Sequence, residues 1–85
     1  MNEIELAVIE ILENMGTDKI DDFSLKLTDD LGLDSLKMVT LLILLEDTFY
    51  IELDESDMNP FDLITVKDVI DLATKYVIQQ EGDSI

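Results

Sequence analysis

Apolar residues at positions 4, 8, 11, 12 and 15 recur at the spacing of one helix face, while Glu3, Glu5, Glu10 and Glu13 fall mostly on the other side. The chain therefore opens with an amphipathic helix from Ile4 to Met15. Gly16 suits a left-handed cap at its end, and Thr17-Asp18-Lys19 continues as loop. Residues 17 to 34 hold no sustained period and many aspartates, which predicts a connection unusually long for a small domain. Ile20, Phe23, Leu25, Leu27 and Leu31 are scattered along it, and several are expected to fold inward and tie the loop to the core. Gly32 permits a positive φ just before the next element, as an ordinary turn glycine also would.

From Ser35 to Tyr50 the pattern is helical again. Met38, Leu42, Leu45 and Phe49 form one stripe, assigned to the core. Leu36, Thr40, Ile43 and Asp47 share that spacing on the opposite side, and Lys37, Leu41, Leu44 and Thr48 make an intermediate face. A helix apolar on most sides is either wholly buried or has a partner. Complete burial is hard to arrange in so short a chain, so Leu36 and Ile43 are assigned to partner contact; Leu41 and Leu44 packing under the long loop is the alternative for the intermediate face. Asp34-Ser35 precedes this helix, and since both residue types are favoured N-caps the pair needs no function on that ground alone.

Between Ile51 and Ile64 the pattern is short and punctuated. Either Asn59-Pro60 starts a single helical turn, or a short helix covers Glu55 to Met58 and Pro60 ends it. Thr65 and Asp68 fit a relaxed capping box. Val66, Val69, Ile70, Ala73, Tyr76 and Val77 then follow at i, i+3, i+4, i+7, i+10 and i+11. Gln79 to Ile85 loses the pattern and contains Gly82, so it is expected to fray. The expected fold is all-α: a small four-helix bundle of three main helices and one short one, with a long loop between the first two. It forms one domain over residues 1–78, with 79–85 as a tail.

Composition narrows the function. An 85-residue chain has room for one modest core. Without cysteine it has neither disulfides nor thiolate metal ligands, and without histidine it lacks the usual general base near neutral pH. Intrinsic catalysis is a poor fit. Five lysines against 21 acids give a net charge of −16, which repels nucleic acid and anionic membranes and points to basic partners. At 47% hydrophobic residues the chain is too apolar for a disordered acidic tail. No apolar stretch reaches bilayer-spanning length, and Met1-Asn2-Glu3-Ile4-Glu5 lacks the features of a signal peptide. A cytoplasmic location is the default expectation.

Asp30-Leu31-Gly32-Leu33-Asp34-Ser35-Leu36 resembles the attachment motif of acyl carrier proteins, commonly D-L-G-x-D-S-L. Phe49, Ile51-Glu52-Leu53 and Thr65-Val66-Lys67-Asp68-Val69-Ile70 look like that family's F-x-I-E-I and T-V-x-D-x-I segments at similar intervals, so the resemblance runs from the first helix to Tyr76. It implies a carrier that is not an enzyme: a separate phosphopantetheinyl transferase attaches 4′-phosphopantetheine from coenzyme A to Ser35, with Asp34 helping to position the transferase's metal ion and the attacking hydroxyl. The arm's thiol then carries acyl groups as thioesters to enzymes of fatty acid or polyketide type. The resemblance also implies a monomer whose partner face comprises Leu36, Lys37, Thr40, Ile43, Glu46 and Asp47, meeting loading and condensing enzymes through basic or apolar docking surfaces.

The chain departs from the family at Lys37 and Thr40, where fatty-acid carriers often have acids, leaving Glu46 and Asp47 in that ring. The slightly longer connection and Pro60-Phe61 look closer to aminoacyl and peptidyl carriers. An aminoacyl, peptidyl or D-alanyl carrier loaded by an adenylating enzyme is therefore the alternative, with an unmodified helical adaptor more remote. A calcium module fails on its own terms: Asp54-Glu55-Ser56-Asp57-Met58-Asn59 has Met at the fifth loop position and no Gly at the sixth, and no resident metal is expected.

Overall fold

The computed structural model describes residues 2–17 and 19–83. Among them, three α-helices follow one another: α1 (Glu3–Asn14), α2 (Ser35–Phe49) and α3 (Val66–Asp83). Two single 3-10 turns, Glu55–Asp57 and Pro60–Asp62, lie between α2 and α3. The fold is all-α, as the periodicity predicts. Both placements left open for the short helix occur, each as one tight turn. At the second, the Asn59 side chain accepts the Phe61 N–H at 3.0 Å, and Pro60 sits first, where its missing N–H costs nothing. The backbone of α3 is helical through Asp83; Met1, Asp18 of the first loop, and Ser84 and Ile85 of the tail lie outside the described residues.

Local chemistry sets the helix ends. The Asn2 side chain accepts the Glu5 N–H at 2.8 Å while the Glu5 carboxylate accepts the Asn2 N–H at 2.9 Å. This capping box starts α1 one residue before the first apolar position. Past Met15 the chain turns at Gly16, whose φ of 95° suits a residue without Cβ. Helix α2 ends at Phe49, one residue short of the expected Tyr50, because Tyr50 takes the left-handed conformation (φ 54°) and its N–H donates to the Glu46 carbonyl. The predicted box at α3 forms in full. Asp68 Oδ2 accepts the N–H groups of Ile64 and Thr65, both at 3.0 Å, and Thr65 Oγ1 accepts that of Asp68. The Thr65 N–H is the first cause holding the Asp68 carboxyl below its usual range.

The long first connection is part of the core. Ile20, Leu27 and Leu33 are buried, and Phe23, Leu25 and Leu31 pack partly buried against the same cluster. A short antiparallel bridge between Lys26 and Thr65 fixes the loop against the start of α3. In it the Leu27 N–H donates to Ile64 O at 2.8 Å, and the Val66 and Lys67 N–H groups donate to Leu25 O and Phe23 O. Val8 and Leu12 of α1, Leu41 and Leu45 of α2, and Val66, Val69 and Ala73 of α3 are wholly enclosed. The intermediate face of α2 thus divides: Leu41 is buried and Leu44 packs partly buried against the core, while Lys37 and Thr48 are exposed.

A polar tie holds the first 3-10 turn to α3. The Tyr76 hydroxyl donates to Asp57 and accepts the Asp54 N–H at 3.0 Å, and Lys75 Nζ lies 3.2 Å from the same Asp57 oxygen. The Tyr76 hydroxyl first, and Lys75 second, hold the Asp57 carboxyl below its usual range, while burial pushes the Tyr76 phenol up. Tyr76→Phe is expected to cost about 1–2 kcal/mol, toward the lower end of a hydrogen bond to a charged group, because the Asp57 side chain is 25% exposed. A depressed carboxylate pKa contributes stability above the unfolded value near ~4 that is lost as pH falls through the folded value. The gap between wild type and Tyr76→Phe in urea unfolding should therefore be full at neutral pH and shrink below about pH 4; a gap that is constant across that range would contradict the tie.

Two ion pairs, Lys67–Asp71 and Lys75–Asp57, occur among the described residues, and five lysines cannot match 21 acids. Screening this self-repulsion should raise the melting temperature as NaCl or Mg²⁺ is added at neutral pH. A flat response in a salt titration would show that the charge opposes folding little.

Candidate functional site

The turn leading into α2 is closed by its own aspartate. Asp30 Oδ2 accepts the Lys26 N–H at 2.7 Å, and the N–H groups of Asp30 and Leu31 both donate to Lys26 O. Gly32 follows with φ 72°, as the sequence predicts, and lets the chain reverse so that Leu33 drops into the core at 2% exposure. Asp34 is then the N-cap: its backbone is extended and its Oδ1 accepts the Lys37 N–H at 2.8 Å. The cap function, open between two residues in the sequence, thus falls to Asp34.

Ser35 is the first residue of α2. It is exposed, and among the described residues no group forms a hydrogen bond with its hydroxyl. The positive end of the α2 dipole and its first-turn N–H groups lie at this position, a setting that favours a bound anion. Ser35 edges a depression of about 210 Å³, also lined by buried Leu33, Met38 and Leu63 and by exposed Lys26, Thr28, Asp29, Asp34, Phe61 and Ile64. A chain without histidine or cysteine offers no conventional base to activate this hydroxyl. The arrangement is an exposed hydroxyl at a helix start with open space beside it.

The other residues assigned from the sequence distribute as follows. Leu36 (74% exposed), Lys37, Thr40, Ile43 (48% exposed) and Asp47 all stand at the surface of α2; the Thr40 hydroxyl donates to Leu36 O. Glu46 differs: it is half-buried and its Oε2 accepts the Leu53 N–H at 2.9 Å, so it anchors the chain leaving α2. Sequence reasoning missed Val39, which is exposed. Its place three after Leu36 and four before Ile43 on one stripe was a sufficient signal. Phe61 and Ile64 had no such signal, because they lie in an aperiodic connection. Among the described residues no group of His, Cys, Asp or Glu side chains forms a metal-holding cluster, and no helix is long and apolar enough to cross a membrane.

Comparison with known proteins agrees with this geometry. Residues 6–73 match the family model described as "Phosphopantetheine attachment site". The acyl carrier protein of Syntrophobacter fumaroxidans is 35% identical over 74 residues, covering 85% of this chain and 89% of that one. The acyl carrier protein of Campylobacter jejuni is 36% identical over 69 residues, covering 81% and 84%. The crystal structure of an acyl carrier protein from Thermotoga maritima superposes with a TM-score of 0.73 at 26% identity, covering 93% of this chain and 98% of that one. A matched attachment domain over most of the length, relatives that cover most of both chains and a shared fold lead to one conclusion: the chain belongs to the acyl carrier protein family, as a non-enzymatic carrier with a phosphopantetheine attachment site.

Proposed function

We propose that Ser35 is the residue that accepts 4′-phosphopantetheine, and that the protein delivers acyl groups to biosynthetic enzymes of fatty acid or polyketide type in the cytoplasm. The observation that carries this reading is the exposed Ser35 hydroxyl without a partner at the start of α2, beside a mostly apolar depression. When attached, the arm supplies the thiol that the cysteine-free chain lacks and holds acyl groups as thioesters. The chain's own residues supply the display. Asp34 caps α2 with one oxygen and keeps Ser35 at the helix start, and its other oxygen, without a hydrogen bond among the described residues, is available to the transferase's metal ion. The helix N-terminus favours the charge of a phosphodiester at Ser35, and Lys26 shares the lining of the depression beside it with Asp29 and Asp34. Tethering then turns encounters between cargo and enzyme into local ones.

The client surface assigned to this reading is the outer face of α2, with Leu36, Lys37, Thr40, Ile43 and Asp47; Glu46 contributes through its hold on Leu53. Incubation with coenzyme A and a broad-specificity phosphopantetheinyl transferase should add one phosphopantetheinyl group, mapped by peptide mass spectrometry to Ser35. An unchanged mass would leave an unmodified helical adaptor as the better reading. The lack of acids on α2 before Glu46 favours, as second reading, an aminoacyl or peptidyl carrier loaded by an adenylating enzyme. Mass spectrometry of the thioester on protein isolated from its own host separates the two by the cargo found.

A further inference from the structure

The connection from α2 to α3 is tied down at its two ends and not in between. At the near end the Glu46 carboxylate accepts the Leu53 N–H, and the Tyr76 hydroxyl bonds both Asp54 and Asp57. At the far end Asp68 accepts the N–H groups of Ile64 and Thr65, and Ile64 O accepts the Leu27 N–H. Residues 59–62 have no such tie. Their hydrogen bonds among the described residues are internal: the Asn59 side chain accepts the Phe61 N–H, and Asn59 O accepts the Asp62 N–H at 3.1 Å. Met58 packs half-buried against the core on one side of this turn, and Leu63 is buried on the other. A turn bonded only to itself and pinned by one apolar side chain at each end pivots at small cost, which is the build of a lid.

The turn lies against α2 and brings Phe61, 79% exposed, to the depression that Ser35 edges. The floor there is apolar, with Leu33, Met38 and Leu63, and the rim is polar. On that rim Asp29 and Asp34 outweigh the charge of Lys26, so it has no surplus of positive charge to draw a phosphate inward. A group joined to the Ser35 oxygen begins at this rim. In phosphopantetheine the phosphodiester comes first, matched by the water-facing start of α2, and a carbon bearing two methyl groups comes next, matched by the apolar floor. We infer that residues 59–62 form a strap that closes on the attached arm, with the Phe61 ring packing on its dimethyl segment above Leu33, Met38 and Leu63. The inference rests on the carrier reading and adds Phe61 as a residue that positions the arm. Closure takes an exposed aromatic ring and the arm's methyl groups out of water, which supplies the driving force. The first half of the connection stays in place, because its movement would break the bonds to Glu46 and Tyr76.

The test loads the full, isotope-labelled chain with an unlabelled arm, using coenzyme A and a broad-specificity phosphopantetheinyl transferase, and compares it with the unloaded chain by NMR. Loading is expected to slow solvent exchange of the Phe61 and Asp62 amides about threefold or more and to leave that of Leu53 and Asp54 unchanged. Nuclear Overhauser contacts are expected between the arm's methyl protons and the Phe61 ring. Phe61→Ser, an exposed change expected to keep wild-type urea unfolding, should remove both the slowing and the contacts while attachment still goes to completion. Exchange that ignores loading, slowing that survives Phe61→Ser, or arm contacts to Leu36 in place of Phe61 would each overturn the inference and leave Ser35 as acceptor. No gain of mass in the wild type would remove the carrier reading, and the strap with it.

Discussion

Ser35→Ala is expected to abolish phosphopantetheine attachment completely while changing unfolding free energy by no more than about 0.5 kcal/mol. The two halves of this expectation come from one local arrangement. The N-cap of α2 is Asp34, which accepts the Lys37 N–H, so the Ser35 hydroxyl contributes nothing to the helix end. Alanine at the first helical position is also a good helix former. Asp34→Ala should differ by costing about 1 kcal/mol through the lost cap, and it should slow attachment without abolishing it, because its second oxygen is the one assigned to the transferase's metal ion. Intact mass after incubation with coenzyme A and transferase, and urea unfolding of the same samples, measure both quantities. Residual modification of Ser35→Ala would move the acceptor to another hydroxyl. Ser24 is a poor candidate, since its hydroxyl donates to Asp22.

Leu27→Ala should destabilise the protein by about 2–5 kcal/mol, as much as a change in the middle of a helix. Leu27 belongs to a connection with no regular structure beyond a single bridge, yet its side chain is wholly buried with those of Val8, Leu12 and Val66. Removing it leaves a cavity where loop and helices meet. The backbone bond from its N–H to Ile64 O keeps the loop in place and limits collapse into the gap. Against a total of about 5–15 kcal/mol for a small domain, such a loss takes a large share. Urea unfolding monitored by circular dichroism gives the number. A loss below about 1 kcal/mol would mean that the loop is a flexible cover and not a wall of the core.

The helical elements were legible because their signals are local. The stripes of α1 and α3, the Thr65–Asp68 box and the positive φ at Gly32 each depend on residues within a turn or two of one another. Resemblance in the seven residues from Asp30 to Leu36 singled out Ser35 before any coordinates. The α1 capping box is equally local, with Asn2 and Glu5 at the required spacing.

What the amino-acid order determined by itself was the helix content and the candidate hydroxyl, since periodicity and a contiguous motif act within short reach of each residue. Which side of α2 meets water was decided only when the other elements closed on it. Leu41 and Leu36 are both leucines on one helix, yet packing against α1, α3 and the first loop encloses the former completely and leaves the latter 74% exposed. The same closure assigned Glu46 to Leu53, Tyr76 to Asp57, and Phe61 and Ile64 to the surroundings of Ser35. Those partners lie between 7 and 29 residues apart in the chain, a separation at which only the tertiary fold chooses neighbours.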